Sequence, residues 1–293
     1  MKITNKFNLP QTFLNVAKRP AYTKGKAHVS ATELLNSPRI VQLKKKYDDQ
    51  IETDVSDMIW SIIGTAIHGV LEHGKDANHI VEQRLHEVLD GWHISGAIDL
   101  QIVHPDGIEI NDYKKVGVWS VMNEKIEWEQ QLNIYAWLVE KVKKTPVVKL
   151  AIIAIIRDWN RRDAKTREGY PQCQVETIPI TLWPMEQREE FIRNRIHIQS
   201  EGLFAMETGE VLPLCTPDEM WEKPTTYAVK KEGAARAKSV HAELVEAEEA
   251  LEKAGKGYAL EVREGERTRC ANFCPVSEFC DQYKSYLEDK QNV

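Results

Sequence analysis

The chain has no long apolar run. Its longest, Val147 to Ile156, is interrupted by Lys149 and falls well short of the ~20 residues a membrane-spanning helix needs. It reads as a buried strand. The opening "MKITNKFNLPQTF" lacks the apolar stretch of a secretory signal. No low-complexity tract or internal repeat is visible, and 293 residues suffice for one large or two modest domains. An excess of positive charge is also missing. Lys and Arg number 39 against 45 Asp and Glu, a net charge of −6, so the total says nothing for nucleic acid and only local clusters can. Cysteine is scarce, yet three of the five fall within "CANFCPVSEFC", residues 270–280. Three thiols cannot pair off into disulfides, and they are one short of a four-ligand metal site. The expectation is a soluble cytoplasmic protein, where thiols stay reduced and clustered cysteines are metal or redox ligands.

Periodicity predicts a mixed α/β core. A short helical stretch, "SATELLNSPRIVQLKKKY", carries Ser30 and Thr32 as candidate caps. From Asp54 to His73 apolar residues recur at helical spacing. Two alternating stretches follow, Trp92 to Val103 and Gly107 to Val116, joined by the turn signal "HPDG". A helix from about Asn123 to Lys144, the buried strand, an alternating stretch at 175–182 and a helix opened by Pro184 complete the core. Beyond about residue 211 the predicted elements are a charged helix over 231–254, stopped by Gly255 and Gly257, and a short strand, "YALEVRE".

Strand side chains alternate between faces, so Asp112 and Lys114 share one face and Asn111 and Lys115 the other. Asp99 lies on the preceding strand. One carboxylate from each of two neighbouring strands, with a lysine beside one of them, builds a site for a hard cation such as Mg²⁺. At a phosphate, such an ion polarises the phosphoryl oxygen and acidifies an attacking water. A lysine there orients that water or offsets developing charge. His68 lies in "GTAIH" on the apolar helix, with Gly64 one turn earlier clearing the same face. Imidazole is a further metal ligand. Gln131 and Tyr135, four apart, share a helical face, and Glu82, ahead of the first carboxylate strand, is a further candidate acid. Singly, each of these is an ordinary residue; a lone histidine on such a helix is more often a satisfied core group.

Taken in order, His68, Asp99, Asp112-Tyr113-Lys114 and Gln131-x-x-x-Tyr135 resemble the motif series of the PD-(D/E)XK nucleases. More narrowly they resemble the RecB-like nuclease domains, including phage and CRISPR-associated exonucleases. The resemblance runs over roughly residues 55 to 210, and it departs where Ile98 replaces the proline of the motif's name. It implies a restriction-endonuclease-like α/β fold, a mixed central sheet flanked by helices, and metal-dependent hydrolysis of DNA. It also implies that His68, Asp99, Asp112 and the Tyr113 carbonyl hold Mg²⁺ or Mn²⁺. Lys114 then positions or activates the water, and Gln131 and Tyr135 support the site and touch DNA. An exonuclease of phage-type DNA processing or recombination follows, beside a single-strand annealing protein, in the host cytoplasm if phage-encoded. The alternative is a DNA-binding module with a vestigial nuclease site and a structural metal cluster; a complete ligand set with Lys114 argues against it.

Some members of that family carry an iron–sulfur cluster on three C-terminal cysteines and one far upstream. "CANFCPVSEFC" resembles that trio, including the proline after the second cysteine. The resemblance implies a [4Fe-4S] cluster on Cys270, Cys274, Cys280 and a fourth thiolate. Zinc is the rival, but it favours paired C-x2-C knuckles, and here the gaps are three and five residues. The family's upstream cysteine falls in a motif resembling "SATELLNSPR", where this chain has Ser37 at about that position. Two thiols remain. Cys173, before an alternating strand, reads as a filler or an exposed thiol. Cys215, between Pro213 and Pro217, lies in a loop and is taken as the fourth ligand. The expected organisation is a nuclease core with an N-terminal helical region over 1–210, and a helical iron–sulfur extension over 211–293 packed on it. Candidate phosphate contacts cluster at Lys44–Lys46, at Arg157, Arg161 and Arg162 around Trp159, at Lys230, Lys231, Arg236 and Lys238, and at Arg263, Arg267 and Arg269. The interleaved Trp159 is a candidate base-stacking residue.

Overall fold

The computed structural model describes residues 2–19, 24–123 and 125–291. The chain forms two compact units, Met1–Asn36 with Asp49–Thr208, and Ser37–Asp48 with Gly209–Val293. In chain order it opens with β1 (Lys2–Thr4), α1 (Gln11–Ala17), β2 (Val29–Ser30) and α2 (Ala31–Leu35); α3 (Pro38–Lys46) belongs to the second unit. The first unit continues with β3 (Glu52–Asp54), α4 (Ile59–Leu71), β4 (His79–Leu89), β5 (Trp92–His104) and β6 (Gly107–Val116). It ends with α5 (Val118–Met122), α6 (Ile126–Lys143), β7 (Val147–Ile156), α7 (Arg161–Thr166), β8 (Val175–Ile180) and α8 (Met185–Thr208). The predicted N-terminal helical stretch is two helices. Ser30 caps α2 in a reciprocal box with Glu33, and Pro38 opens α3 afresh.

One sheet of six strands organises the first unit, in the order β2-β5-β6-β7-β8, with β4 on β5 as well. It is mixed: β4, β5 and β6 run antiparallel, β6 and β7 parallel, and β7 and β8 antiparallel. A parallel pair needs a long crossover, and α5 and α6 supply it. The middle of α6 buries Leu132, Ile134, Trp137 and Leu138 against Ile94, Ile98, Ile110, Leu150 and Ile152, with Ile192 and Ile196 of α8 completing the core. β7 reads as a near-continuous apolar run: it pairs on both edges, with β6 and β8, and buries Leu150, Ala151, Ile152, Ala154 and Ile156, while Ile153 and Ile155 stay partly exposed. β4 was not predicted. It leaves only Leu85 buried, so its alternation is faint. Gly96 is where α6 crosses β5 closely: a Cβ there would stand 2.6 Å from Leu138 and 2.9 Å from the Tyr135 ring. Gly96→Ala should cost about 1–3 kcal/mol by overpacking, read from urea unfolding, and should disturb Tyr135. An unchanged midpoint would contradict this packing.

The second unit contains α9 (Pro217–Met220), β9 (Glu222–Lys223), β10 (Thr226–Lys231), β11 (Ser239–His241), α10 (Leu244–Ala254), β12 (Tyr258–Arg263), β13 (Glu266–Arg267), α11 (Thr268–Asn272) and α12 (Asp281–Gln291). It has the short strand expected at "YALEVRE", as β12, but more sheet than the helical extension predicted. β11, β10 and β12 form an antiparallel sheet under α10. The charged helix expected over 231–254 begins only at Leu244. Gly233, at φ +74°, turns the chain after β10, and Lys238 N–H returns to the Val229 carbonyl, so the Ala- and Lys-rich segment is a hairpin connection.

Candidate active site

β5 and β6 pair from His104↔Gly107 to Leu100↔Asn111 and then part; further along, β2 pairs with β5 at Ile94 and Ser95. Asp99 stands at the parting. Its Oδ2 accepts a hydrogen bond from the Tyr113 amide at 2.8 Å, so a side chain stands in for a ladder bond. Pairing with β4 lapses at the same level, between Val81↔Leu100 and Gln83↔Ile98. The residue at the lapse is Glu82, at φ +48°. That left-handed backbone is rare away from glycine and costs on the order of 1–3 kcal/mol. Glu82 Oε1 lies 3.2 Å from His68 Nδ1, which is 3.5 Å from Asp99 Oδ1. Among the described residues, His68, Glu82 and Asp99 form the set whose ligand atoms all lie within 4.8 Å of one another.

Asp112 lies outside that set. Its Oδ2 is 2.7 Å from the Lys114 ammonium, and its Oδ1 accepts from Gln131 Nε2 at 3.2 Å. Lys114 donates to Gln131 Oε1 at 3.1 Å, and Gln131 Nε2 also reaches the Tyr135 hydroxyl at 2.8 Å. Oδ2 is buried and, despite the short ammonium distance, takes no aligned hydrogen bond. A buried carboxylate oxygen in that state has a lone pair free for another ligand. Asp112 and Lys114 thus stand together on one face of β6, α6 contributes Gln131 and Tyr135, and Glu82 joins His68 and Asp99. Lys115 leaves for the other side, where its ammonium donates to the Trp60 carbonyl at 3.1 Å. Glu82 was legible only as an acid near the right place; no local signal marks a left-handed residue inside a strand.

Burial, and then the Asp112 carboxylate, push Asp99 up to about 7; His68 and the Tyr113 amide act the other way. Burial, reinforced by Asp112, keeps the Tyr135 phenol protonated at all ordinary pH. Two carboxylates sharing a site resist ionising together, and a divalent cation relieves that repulsion. For metal-free protein the sign is definite. The folded chain retains a proton on Asp99 that the unfolded chain, at the ordinary 3.8, has lost. This group's contribution is fully present below about pH 4 and is lost as pH rises through about 7. In EDTA at pH 8, Asp99→Asn should therefore be more stable than wild type, by on the order of 2–4 kcal/mol, with the gap closing toward pH 5. Calorimetry at the two pH values checks this; a less stable Asp99→Asn variant at pH 8 would refute it.

In the second unit, Cys215, Cys270, Cys274 and Cys280 line one cavity with Arg39, Arg269 and Tyr283. Burial, and then the other three cysteines, push Cys270 up to about 11. Burial likewise raises Cys215 and Cys274, against hydrogen bonds from Ser37 and the Val276 amide respectively. Ser37 Oγ is 3.1 Å from Cys215 Sγ. Gln282 clamps the Cys215 backbone both ways, accepting from its N–H at 2.8 Å and donating to its carbonyl at 2.9 Å. No three of these sulfurs lie within 4.8 Å of one another. Cys173 is exposed in the first unit, with its thiol on the Val175 carbonyl.

Several predicted phosphate contacts have local partners instead. Lys230 and Arg263 both pair with Glu261, and Arg267 with Glu222. Arg269 donates to the Glu219 carbonyl. Trp159 is half-buried, packs beside Val118, Ile156 and Tyr170, and donates its indole N–H to the Pro171 carbonyl, so it is a structural residue. Lys44 to Lys46 are exposed in the last turn of α3, and Arg161 and Arg162 are exposed on α7.

A mixed sheet carries a histidine, acids and a lysine at the parting of two strands, the layout of a nuclease-type fold. Residues 71–281 match the PD-(D/E)XK nuclease superfamily, and the chain belongs to that superfamily. No curated protein matches it. A solved structure of SSO0001 is similar at 18% identity and a TM-score of 0.46, over 64% of this chain and 85% of that one. Among the described residues, no helix is long and apolar enough to cross a membrane.

Proposed function

We propose that this protein is a RecB-like exonuclease that hydrolyses DNA with Mg²⁺ or Mn²⁺ and carries a [4Fe-4S] cluster in its C-terminal unit. The carrying observation is the convergence of His68, Glu82 and Asp99 within 4.8 Å, beside the Asp112–Lys114 pair. A bound divalent ion would supply phosphate polarisation and an acidified water. His68, Glu82 and Asp99 would hold it, with Asp112 Oδ2 and the Tyr113 carbonyl as further oxygen donors. Lys114, fixed between Asp112 and Gln131, orients the attacking water and offsets charge building on the phosphate. Gln131 fixes both members of that pair, and protonated Tyr135 anchors Gln131.

The cluster reading draws on the cavity chemistry. Four sulfurs around one Zn²⁺ at about 2.3 Å would stand roughly 3.8 Å apart. Here no three lie within 4.8 Å of one another, so the thiols suit a larger group. The raised thiols would have to ionise on binding it, and Arg39, Arg267 and Arg269 lie where they offset that charge. The reading includes phage-type DNA processing beside a single-strand annealing protein. End-labelled linear and covalently closed circular DNA, each incubated with Mn²⁺, test the activity. Linear DNA should be degraded from its ends, the circle should persist, and EDTA should stop the reaction. Cleavage of the circle would make it an endonuclease; inert linear DNA would remove the nuclease reading.

A further inference from the structure

α4 is strongly apolar, yet none of its residues is buried. Trp60, Gly64 and His68 recur at i, i+4 and i+8 and so lie along one face. Trp60 is 57% exposed. A Cβ added at Gly64 would meet nothing within 4 Å, so the middle of the face is open. At its far end His68 belongs to the ligand set. Eight residues of helix span about 12 Å, the reach of a few nucleotides.

The near end is positively charged in an unusual way. Lys115 Nζ lies 4.1 Å from the centre of the Trp60 ring, and the Arg157 guanidinium lies 5.3 Å from the same ring. In a chain of net charge −6 carboxylates are the ordinary partners of such groups. Among the described residues neither cation has one within ion-pair distance; Lys115 lies over the indole while donating to the Trp60 carbonyl, and Arg157 lies over the same ring. Cations over an aromatic face are held weakly where water reaches them, so a phosphate can take them and leave the ring to a base. A π-face flanked by cations selects a polyanion with flat, unpaired bases, because duplex bases already stack on one another.

We propose that the Trp60–Gly64–His68 face of α4 is the track of a single DNA strand. Trp60 stacks an unpaired base a few nucleotides from the reacting phosphate, while Lys115 and Arg157 turn from the ring to the flanking phosphates. This rests on the nuclease reading and names its substrate form.

The test measures anisotropy of a labelled oligothymidine with full-length protein in Ca²⁺. Trp60→Ala should weaken binding by about tenfold or more, and Trp60→Phe should restore most of it. Lys115→Ala should lower the log–log salt slope by about 0.7, one single-strand phosphate contact. Gly64→Leu should raise the melting temperature, because leucine is the better helix former and its Cβ would meet nothing within 4 Å, and yet block binding at least as strongly as Trp60→Ala. That opposition separates a filled track from a damaged fold. Wild-type affinity in both Trp60→Ala and Gly64→Leu overturns the proposal, as does an equal loss of binding to a blunt hairpin duplex. If wild-type protein fails to cleave DNA with Mn²⁺, the nuclease reading falls, and the binding series still decides the track.

Discussion

Asp112→Asn and Lys114→Met should each reduce DNA cleavage by about 10³-fold or more, the scale on which an electrostatic or proton-handling group contributes at a water-poor site. The two act through one network. Asp112 holds Lys114 at 2.7 Å, and Gln131 bridges both. The double variant should therefore be little worse than either single one, since residues that act as a unit are non-additive. Asparagine is the informative replacement because it can keep the Gln131 contact while removing the charge. Removing the lysine alone leaves a buried carboxylate without its cation, which costs stability, so melting curves must accompany the rates. Asp112→Asn should melt within a few degrees of wild type. Single-turnover digestion of end-labelled DNA in Mn²⁺ reads the effect. Wild-type cleavage by Asp112→Asn would remove this carboxylate from the mechanism.

Cys215→Ser should bleach the brown colour of anaerobically purified protein, lower its iron from about four per chain to near none, and loosen the second unit. Ligation supplies folding energy, and this unit is built of short elements with few large buried side chains. Cys173→Ser should leave colour and stability unchanged, because that thiol is exposed and bonded to the Val175 carbonyl of the strand that follows it. The 3.1 Å contact between Ser37 Oγ and Cys215 Sγ makes the test sharper. A sulfur at position 37 would stand beside the one at 215. Ser37→Cys combined with Cys215→Ser should therefore recover much of the iron that Cys215→Ser alone loses. Retention of iron by Cys215→Ser, or its loss in Cys173→Ser, would break the assignment. Both outcomes are read by iron analysis and visible absorption, independently of nuclease activity.

Local periodicity determined much of this protein by itself. A two-residue period places Asp112 with Lys114 and Lys115 on the opposite side. A four-residue step on a helix places Gln131 with Tyr135 and His68 with Gly64. These relations need only the backbone geometry of one element, and each was legible in residues 64–135. The cysteine trio and its neighbouring proline were equally legible, because their spacing is a property of the chain. Tertiary structure decided what depends on register and on contacts between distant segments. Glu82 joins His68 because two strand pairings lapse at one level and its backbone turns left-handed, which no local pattern marks. Ser37 meets Cys215 across 178 residues of chain. Trp159 sits among arginines in the sequence, yet packing against Tyr170 half-buries it; Trp60 has no Lys or Arg near it in the sequence, and the fold brings Lys115 and Arg157 to its exposed ring. The segment at 231–243 followed Gly233 into a hairpin rather than its own helical composition, because pairing with β10 satisfies its backbone groups.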